Sequence, residues 1–74
     1  MITINQVISE ALKRKTGDRF EISELFNKSD WDNEKTQHRK DLGKDFAKYV
    51  RGNGSKEFKL FCRKSDNHLV YERL

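Results

Sequence analysis

The sequence predicts a small α+β domain made of three helices, one short strand and a C-terminal β-hairpin. Two observations support this prediction: apolar residues recur at helical spacing near residues 4–12 and 42–50, and apolar and polar residues alternate near the C-terminus. A chain of 74 residues is expected to form a single domain over residues 1–74. Its core should be marginal in size, because small chains bury a lower fraction of their surface.

The segment ITINQVISEALKRKTG contains the first predicted helix. Apolar residues occupy the i, i+3, i+4, i+7 and i+8 positions of one face, namely Ile4, Val7, Ile8, Ala11 and Leu12. Thr3 and Gln6 are spaced as a capping box, and Ile2 can pack on Val7. Gly17 suits the left-handed residue that often follows a helix.

The next segment, DRFEIS, alternates apolar Phe20 and Ile22 with charged residues, which predicts a short strand. Ser23 can then cap a short second helix, ELFNK, that turns Leu25 and Phe26 inward. The loop KSDWDNE follows and is rich in turn formers.

The segment from residue 36 to 51 predicts the long third helix. One arc is apolar and comprises Leu42, Phe46, Tyr49 and Val50. The opposite arc is basic and comprises Gln37, Lys40, Lys44, Lys48 and Arg51. We expect Leu42 and Phe46 to share one core with Trp31, which should be buried between helices. The other expected members are Leu25, Phe26, Ile8 and Leu12.

The stretch GNGS ends the third helix, and two alternating segments follow, KEFKLFCRK and HLVYERL. Turn formers at residues 65–67 predict a β-hairpin between them. A two-residue loop would place Phe58, Leu60 and Cys62 on one face with Leu69 and Tyr71, whereas another loop length would swap the faces of one strand. Phe61 points away from Leu60 in either register.

The order helix, strand, helix, helix, hairpin is that of a winged helix-turn-helix, with the hairpin as the wing. An isolated hairpin is barely stable in water. The strand near Phe20 is therefore expected to join the hairpin as a third strand.

The pattern F-x-I-x-x-L-F, then W, then R-x-x-L-G-x-x-F-x-x-x-V, with a basic β segment ending at Tyr71, resembles a small family of uncharacterised proteins from Gram-positive bacteria and their phages. The resemblance covers about residues 20–71. Most of the matching positions are apolar or glycine, so the resemblance implies packing and fold more than activity.

Arg39 and Gly43 are not apolar, although both lie on or beside the inner face of the third helix. Arg39 lies on the inner side of this helix, where an arginine requires a carboxylate from Glu24, Asp30 or Asp32, or else contacts a phosphate or ligand. Gly43 flanks the apolar stripe and is expected to let the second helix approach closely.

Catalytic and metal-binding groups are sparse. His38 and His68 fall in polar surroundings, as surface histidines do, and Cys62 is expected to be a small core residue. The single cysteine forms no internal disulfide, and the spacing of these three residues does not suit zinc. We therefore expect no enzyme activity, no cofactor, no metal and no small-molecule substrate.

The chain has no apolar run long enough to span a bilayer, and its N-terminus lacks the pattern of a secretion signal. We therefore expect a cytoplasmic protein that does not bind membranes. The net charge of +4 is uneven. Residues 1–35 carry six basic and seven acidic residues, whereas residues 36–74 carry ten and five. A basic C-terminal half favours a polyanionic partner.

Duplex DNA is the favoured partner, for a regulator or an accessory factor of a phage or mobile element. Gln37 and Lys40 lie near the start of the helix, where side chains can reach base edges. The phosphate contacts are assigned to Lys44, Lys48 and Arg51. A second backbone contact is assigned to the hairpin tip, namely Arg63, Lys64, Asn67 and His68.

The alternative is a protein–protein interaction module that does not bind DNA. Glu10, the acidic second region and an exposed Phe61 acting as an anchor would favour it. If Phe61 instead packs beneath the first helix, this argument weakens. A continuous positive face through Lys40, Lys44 and Lys64 would favour DNA.

Overall fold

The computed structural model describes residues 1–66 and 68–74. The elements are α1 (Ile4–Leu12), β1 (Arg19–Phe20), a 3₁₀ turn (Ile22–Leu25), α2 (Lys28–Asp32), α3 (Thr36–Arg51), β2 (Phe58–Arg63) and β3 (Leu69–Arg73). The protein is thus α+β, and its three strands form one antiparallel sheet in the order β1-β3-β2. Among the described residues, every helix is too short or too polar to cross a membrane.

The predicted capping box of α1 is confirmed. The backbone N–H of Gln6 donates to the Thr3 hydroxyl at 3.2 Å, and the backbone N–H of Thr3 donates to the Gln6 side chain at 2.8 Å. Gly17 has a φ of 92°, but it does not terminate α1 as predicted, because the helix ends at Leu12 with Lys13 as its C-cap. Gly17 lies instead in a turn in which the Asp18 N–H donates to the carbonyl oxygen of Lys15 at 2.9 Å, and its own N–H donates to the carbonyl oxygen of Arg73 at 2.7 Å. Leu12 is 39% exposed, so its predicted core position is wrong. Leu12 lies at one edge of the apolar arc of α1, whereas the buried residues Val7 and Ala11 lie toward its other edge.

The second helix lies later in the chain than predicted. The strand ends at Phe20, Ile22 begins the 3₁₀ turn, and α2 occupies the stretch that was expected to be a loop. A side-chain hydrogen bond stabilises the tight turn, because the Glu21 backbone N–H donates to Glu24 Oε1 at 2.8 Å. The predicted helix at 24–28 is therefore wrong, since the chain is already extended at Phe26.

The hairpin is confirmed, but its register departs from regular alternation. Leu60 pairs with Tyr71 while Cys62 pairs with Val70, so a β-bulge lies at Phe61. The bulge turns Cys62 to the other face, where it is exposed, and the prediction of a core cysteine is wrong. The connection spans residues 64–68, longer than two residues. Asn67 lies outside the described residues.

The core lies between the sheet and the helices. Its buried members are Ile2, Val7, Ala11, Phe20, Ile22, Leu42, Phe46, Val50, Phe58 and Tyr71. Phe46 is at its centre, with its ring centroid 4.8 Å from that of Tyr71 and 5.5 Å from that of Phe58. The predicted core positions of Leu42 and Phe46 are confirmed.

Some predicted core residues lie at the margin instead. The partly buried ones are Ile8, Leu25, Phe26 and Trp31. Trp31 stacks on Phe26 with centroids 6.2 Å apart and planes 5° from parallel. The tryptophan therefore packs against the core from its margin, and α2 itself contains no fully buried residue.

The chain leaves α3 through a tight turn that begins at Gly52, as the GNGS stretch predicts. The N–H of Gly54 donates to the carbonyl oxygen of Tyr49 at 2.8 Å. A Cβ at position 54 would overlap the Tyr49 ring. Glycine is required there because the backbone passes directly against that ring.

Candidate functional site

Two open cavities adjoin each other between α3 and the hairpin. The first, the lysine groove, has a volume of about 710 Å³ and is lined by Gly43, Lys44, Asp45, Ala47, Lys48, Arg51, Arg63 and Leu69. The second, the Arg39 cavity, has a volume of about 450 Å³ and is lined by Glu21, Ile22, Ser23, Trp31, Thr36, Arg39, Lys40, Gly43, His68 and Leu69. Gly43 and Leu69 belong to both.

The basic residues of α3 recur every three or four positions, so they share one exposed face of the helix. In residues 1–66 and 68–74, five exposed lysines and arginines that line the two cavities have no carboxylate oxygen within 4.0 Å of their side-chain nitrogens: Lys40, Lys44, Lys48, Arg51 and Arg63. Their charges are therefore available to an anion. Gln37 differs, because its amide donates to Asp41 Oδ1 at 3.1 Å.

Two arginines from different elements line the lysine groove. Arg51 comes from the last turn of α3, and Arg63 from the end of β2. Burial raises the pKa of the Tyr71 hydroxyl, and the positive charges of Arg51 and Arg63 oppose this rise. The Tyr71 hydroxyl has no hydrogen-bond partner among the described residues.

The hairpin tip is less cationic than predicted, because Glu21 pairs with two of its basic residues, Lys64 and His68. Lys64 Nζ lies 2.8 Å from Glu21 Oε2, and His68 Nδ1 lies 3.0 Å from Glu21 Oε1. The hydrogen bond to Glu21 raises the pKa of Lys64. The expected positive face through Lys40, Lys44 and Lys64 is therefore interrupted at Lys64, and it continues instead to Arg63. The sequence offered no signal for this pairing, since Glu21 is 43 residues from Lys64.

Arg39 has no carboxylate partner in the described part of the chain, so the predicted ion pair with Glu24, Asp30 or Asp32 is wrong. Its Nη2 donates to the Thr36 hydroxyl at 3.2 Å, and its buried Nε has no partner among the described residues. The one carboxylate among the described residues that line its cavity, Glu21, pairs with Lys64 and His68 instead.

Gly43 does not serve a close helix contact, contrary to the prediction. A Cβ built at this position meets no atom within 4 Å. The space beside Gly43 is open, and this residue lines both cavities.

Other predicted positions have local roles. His38 is half-buried rather than a free surface residue, and its Nε2 lies 2.6 Å from the carbonyl oxygen of Ile2. Phe61 is 43% exposed and does not pack beneath α1, and the Arg19 guanidinium lies 3.8 Å from its ring centroid. Among residues 1–66 and 68–74, there is no group of three His, Cys, Asp or Glu side chains that could hold a metal ion.

The architecture and this surface define a class: a small α+β domain with an unpaired basic groove between its longest helix and its hairpin. The chain belongs to the family described as a domain of unknown function, DUF1413, whose model matches residues 5–73. The expectation that it belongs to an uncharacterised family is thereby confirmed. No curated protein matches the sequence.

One solved structure with a similar fold is described as "SCCmec type IV LP1413 - nucleic acids binding protein". It superimposes with a TM-score of 0.70 at 19% sequence identity, over 96% of this chain and 87% of that chain. At this identity the similarity shows a shared fold.

Proposed function

We propose that this protein binds nucleic acid through the lysine groove and the exposed face of α3, with duplex DNA as the expected partner. The observation that carries the proposal is the set of cations without carboxylate partners that two elements bring to one groove: Lys44, Lys48 and Arg51 from α3, and Arg63 from β2. Phosphate contacts supply most of the affinity of such proteins. The similar structure is described as a nucleic acid binding protein, which gives further support.

The element order and the hairpin beside α3 support a winged helix-turn-helix arrangement. In that arrangement α3 enters the major groove, and its first turns present side chains to base edges. Gln37 and Lys40 hold those positions, and Gln37 would exchange its hydrogen bond to Asp41 for one to a base. The protein would then act in the cytoplasm as a regulator or accessory factor without catalytic activity.

Single-stranded nucleic acid is the second candidate, and the concavity of the site favours it. The basic face of α3 is one wall of a groove whose other wall includes Arg63 and Leu69 of the hairpin. A positively charged groove can follow the backbone of a single strand. A duplex would have to meet the outer rim of the groove.

Fluorescence polarisation with a labelled duplex, and with its single strands, tests the proposal at several salt concentrations. With about four or five phosphates neutralised, the logarithm of duplex affinity should fall with the logarithm of salt at a slope near −4. The double variant Lys44→Ala, Lys48→Ala should bind more weakly, and its slope should be shallower by about two. Its stability should change by no more than about 0.5 kcal/mol per site, since both residues are exposed.

A matched control removes two other exposed lysines, Lys15→Ala and Lys28→Ala, which line neither cavity. This control has the same net charge as the groove variant, so equal weakening by both pairs would show that only total charge matters. A parent protein without affinity for either form of DNA at low salt would refute DNA binding. The protein-docking alternative would then take its place, with the exposed Leu60 and Phe61 as its anchor.

A further inference from the structure

The Arg39 cavity has the size and the walls of a small-molecule site. It lies where the 3₁₀ turn, α2, the first half of α3 and the start of β3 meet. Its volume of about 450 Å³ falls within the range of ligand pockets. Ile22, Trp31 and Leu69 give it apolar walls, and the hydroxyls of Ser23 and Thr36 add two polar groups.

Gly43 keeps this cavity open. Glycine in the interior of a helix lowers its stability relative to alanine, so it usually has a packing or functional reason. No neighbour requires it here, because a Cβ at position 43 would meet no atom within 4 Å. Because Gly43 has no side chain, it leaves space inside the Arg39 cavity, which it lines.

Arg39 supplies an uncompensated charge to the cavity. The side chain is half-buried, its enclosed Nε has no partner, and its Nη2 donates to the Thr36 hydroxyl. Glu21 is the one carboxylate in the lining, and its two oxygens are engaged by Lys64 and His68. A half-buried guanidinium beside apolar walls favours an anion as its partner.

We propose that the Arg39 cavity binds a small, planar, largely apolar molecule that carries one anionic group. The ring occupies the space beside Gly43, between the apolar walls formed by Ile22, Trp31 and Leu69. The anionic group pairs with Arg39, and Lys40 lies on the same lining. This site is distinct from the phosphate contacts proposed above, because Lys44, Lys48 and Arg51 do not line it, although Lys40 belongs to both surfaces.

The test compares two probes of the same shape, 2-naphthoate and the neutral 2-naphthamide. Two-dimensional ¹⁵N NMR follows the indole N–H of Trp31, the single tryptophan, and the amide of Gly43. Naphthoate should shift both signals with a dissociation constant of about 1 mM or tighter, as expected for a fragment of this size. Naphthamide should bind about tenfold more weakly, because it cannot form the charge-assisted hydrogen bond.

Three variants complete the test. Arg39→Gln should weaken naphthoate about tenfold and leave naphthamide unchanged. Gly43→Leu should block both probes, since its side chain fills the space, and leucine is a good helix former. Lys15→Gln removes an exposed cation that lines neither cavity, and this variant should bind naphthoate as the parent does.

Several results would overturn the proposal: equal affinity for the two probes, no shift of Trp31 and Gly43 at millimolar naphthoate, or undiminished binding to Gly43→Leu. The thermal melt of each variant shows whether it is folded. If Arg39→Gln does not fold, the comparison of the two probes on the parent and on Gly43→Leu still decides.

Discussion

Replacing Phe46 with alanine should remove much of the stability of this domain. The side chain is fully buried, and its ring contacts four other aromatic rings, with centroid separations from 4.8 Å to Tyr71 up to 6.3 Å to Phe20. Truncating a buried phenylalanine costs about 3–5 kcal/mol, because apolar surface is lost and a cavity remains. The four rings are held by α3 and all three strands, so they cannot collapse into the space without moving the sheet.

The stability lost in Phe46→Ala is large relative to the total free energy of unfolding. At about 0.05–0.15 kcal/mol per residue, a domain of 74 residues has about 4–11 kcal/mol of stability. In a domain of this size, each kcal/mol corresponds to about 4–8 °C in melting temperature. The melting temperature should therefore fall by about 12 °C or more, and part of the Phe46→Ala protein should be unfolded near room temperature.

Thermal and urea unfolding followed by circular dichroism measure the effect. Leu60→Ala is the control, because Leu60 is also a large apolar residue but is 52% exposed. Its free energy of unfolding should change by no more than about 0.5 kcal/mol. If Phe46→Ala melts within about 2 °C of the parent, the placement of Phe46 at the centre of the core is wrong.

Three further substitutions test separate features. Gly43→Ala should raise the free energy of unfolding by about 1 kcal/mol in a urea titration, because alanine favours the helix and its methyl group meets open space; a destabilised variant would mean that this wall is packed. Gly54→Ala should lower it by about 1–3 kcal/mol, because the new Cβ overlaps the Tyr49 ring; an unchanged melt would show that the ring moves freely. The hydrogen bond from Arg19 lowers the pKa of Glu72, so this carboxylate stabilises the fold above its unfolded pKa, and that contribution is lost as the pH falls through the folded value. The melting temperature of Glu72→Gln should therefore fall less than that of the parent between about pH 6 and about pH 3. Parallel curves of melting temperature against pH would contradict the pairing of Glu72 with Arg19.

The helices and strands with strong local patterns could be predicted from the sequence. The capping box at Thr3 depends on neighbours in the chain and is present as expected, whereas Gly17 is left-handed but lies beyond the end of the helix. The apolar arc of α3 likewise follows from helical periodicity alone. The short middle segment could not be predicted, because a 3₁₀ turn and a helix of five residues have too few positions to show a period.

The candidate site shows the same division. The unpaired lysines of α3 could be identified from the sequence, because exposure on a helix follows from spacing. Their relation to the hairpin could not, since it depends on strand pairing and on the bulge at Phe61, which turns Cys62 outward. The pairing of Glu21 with Lys64 and His68 joins residues more than forty positions apart, so no local pattern indicates it.

By itself, the sequence determined the α+β class, the inward face of α3 and the basic row opposite it, because these features need only the geometry of single elements and the transfer of apolar side chains from water. Tertiary structure decided which cations remain unpaired, why Arg39 has no carboxylate, and where the two cavities open. These are consequences of how distant elements pack, and packing brings together or separates charges whose spacing along the chain says nothing about their distance in space.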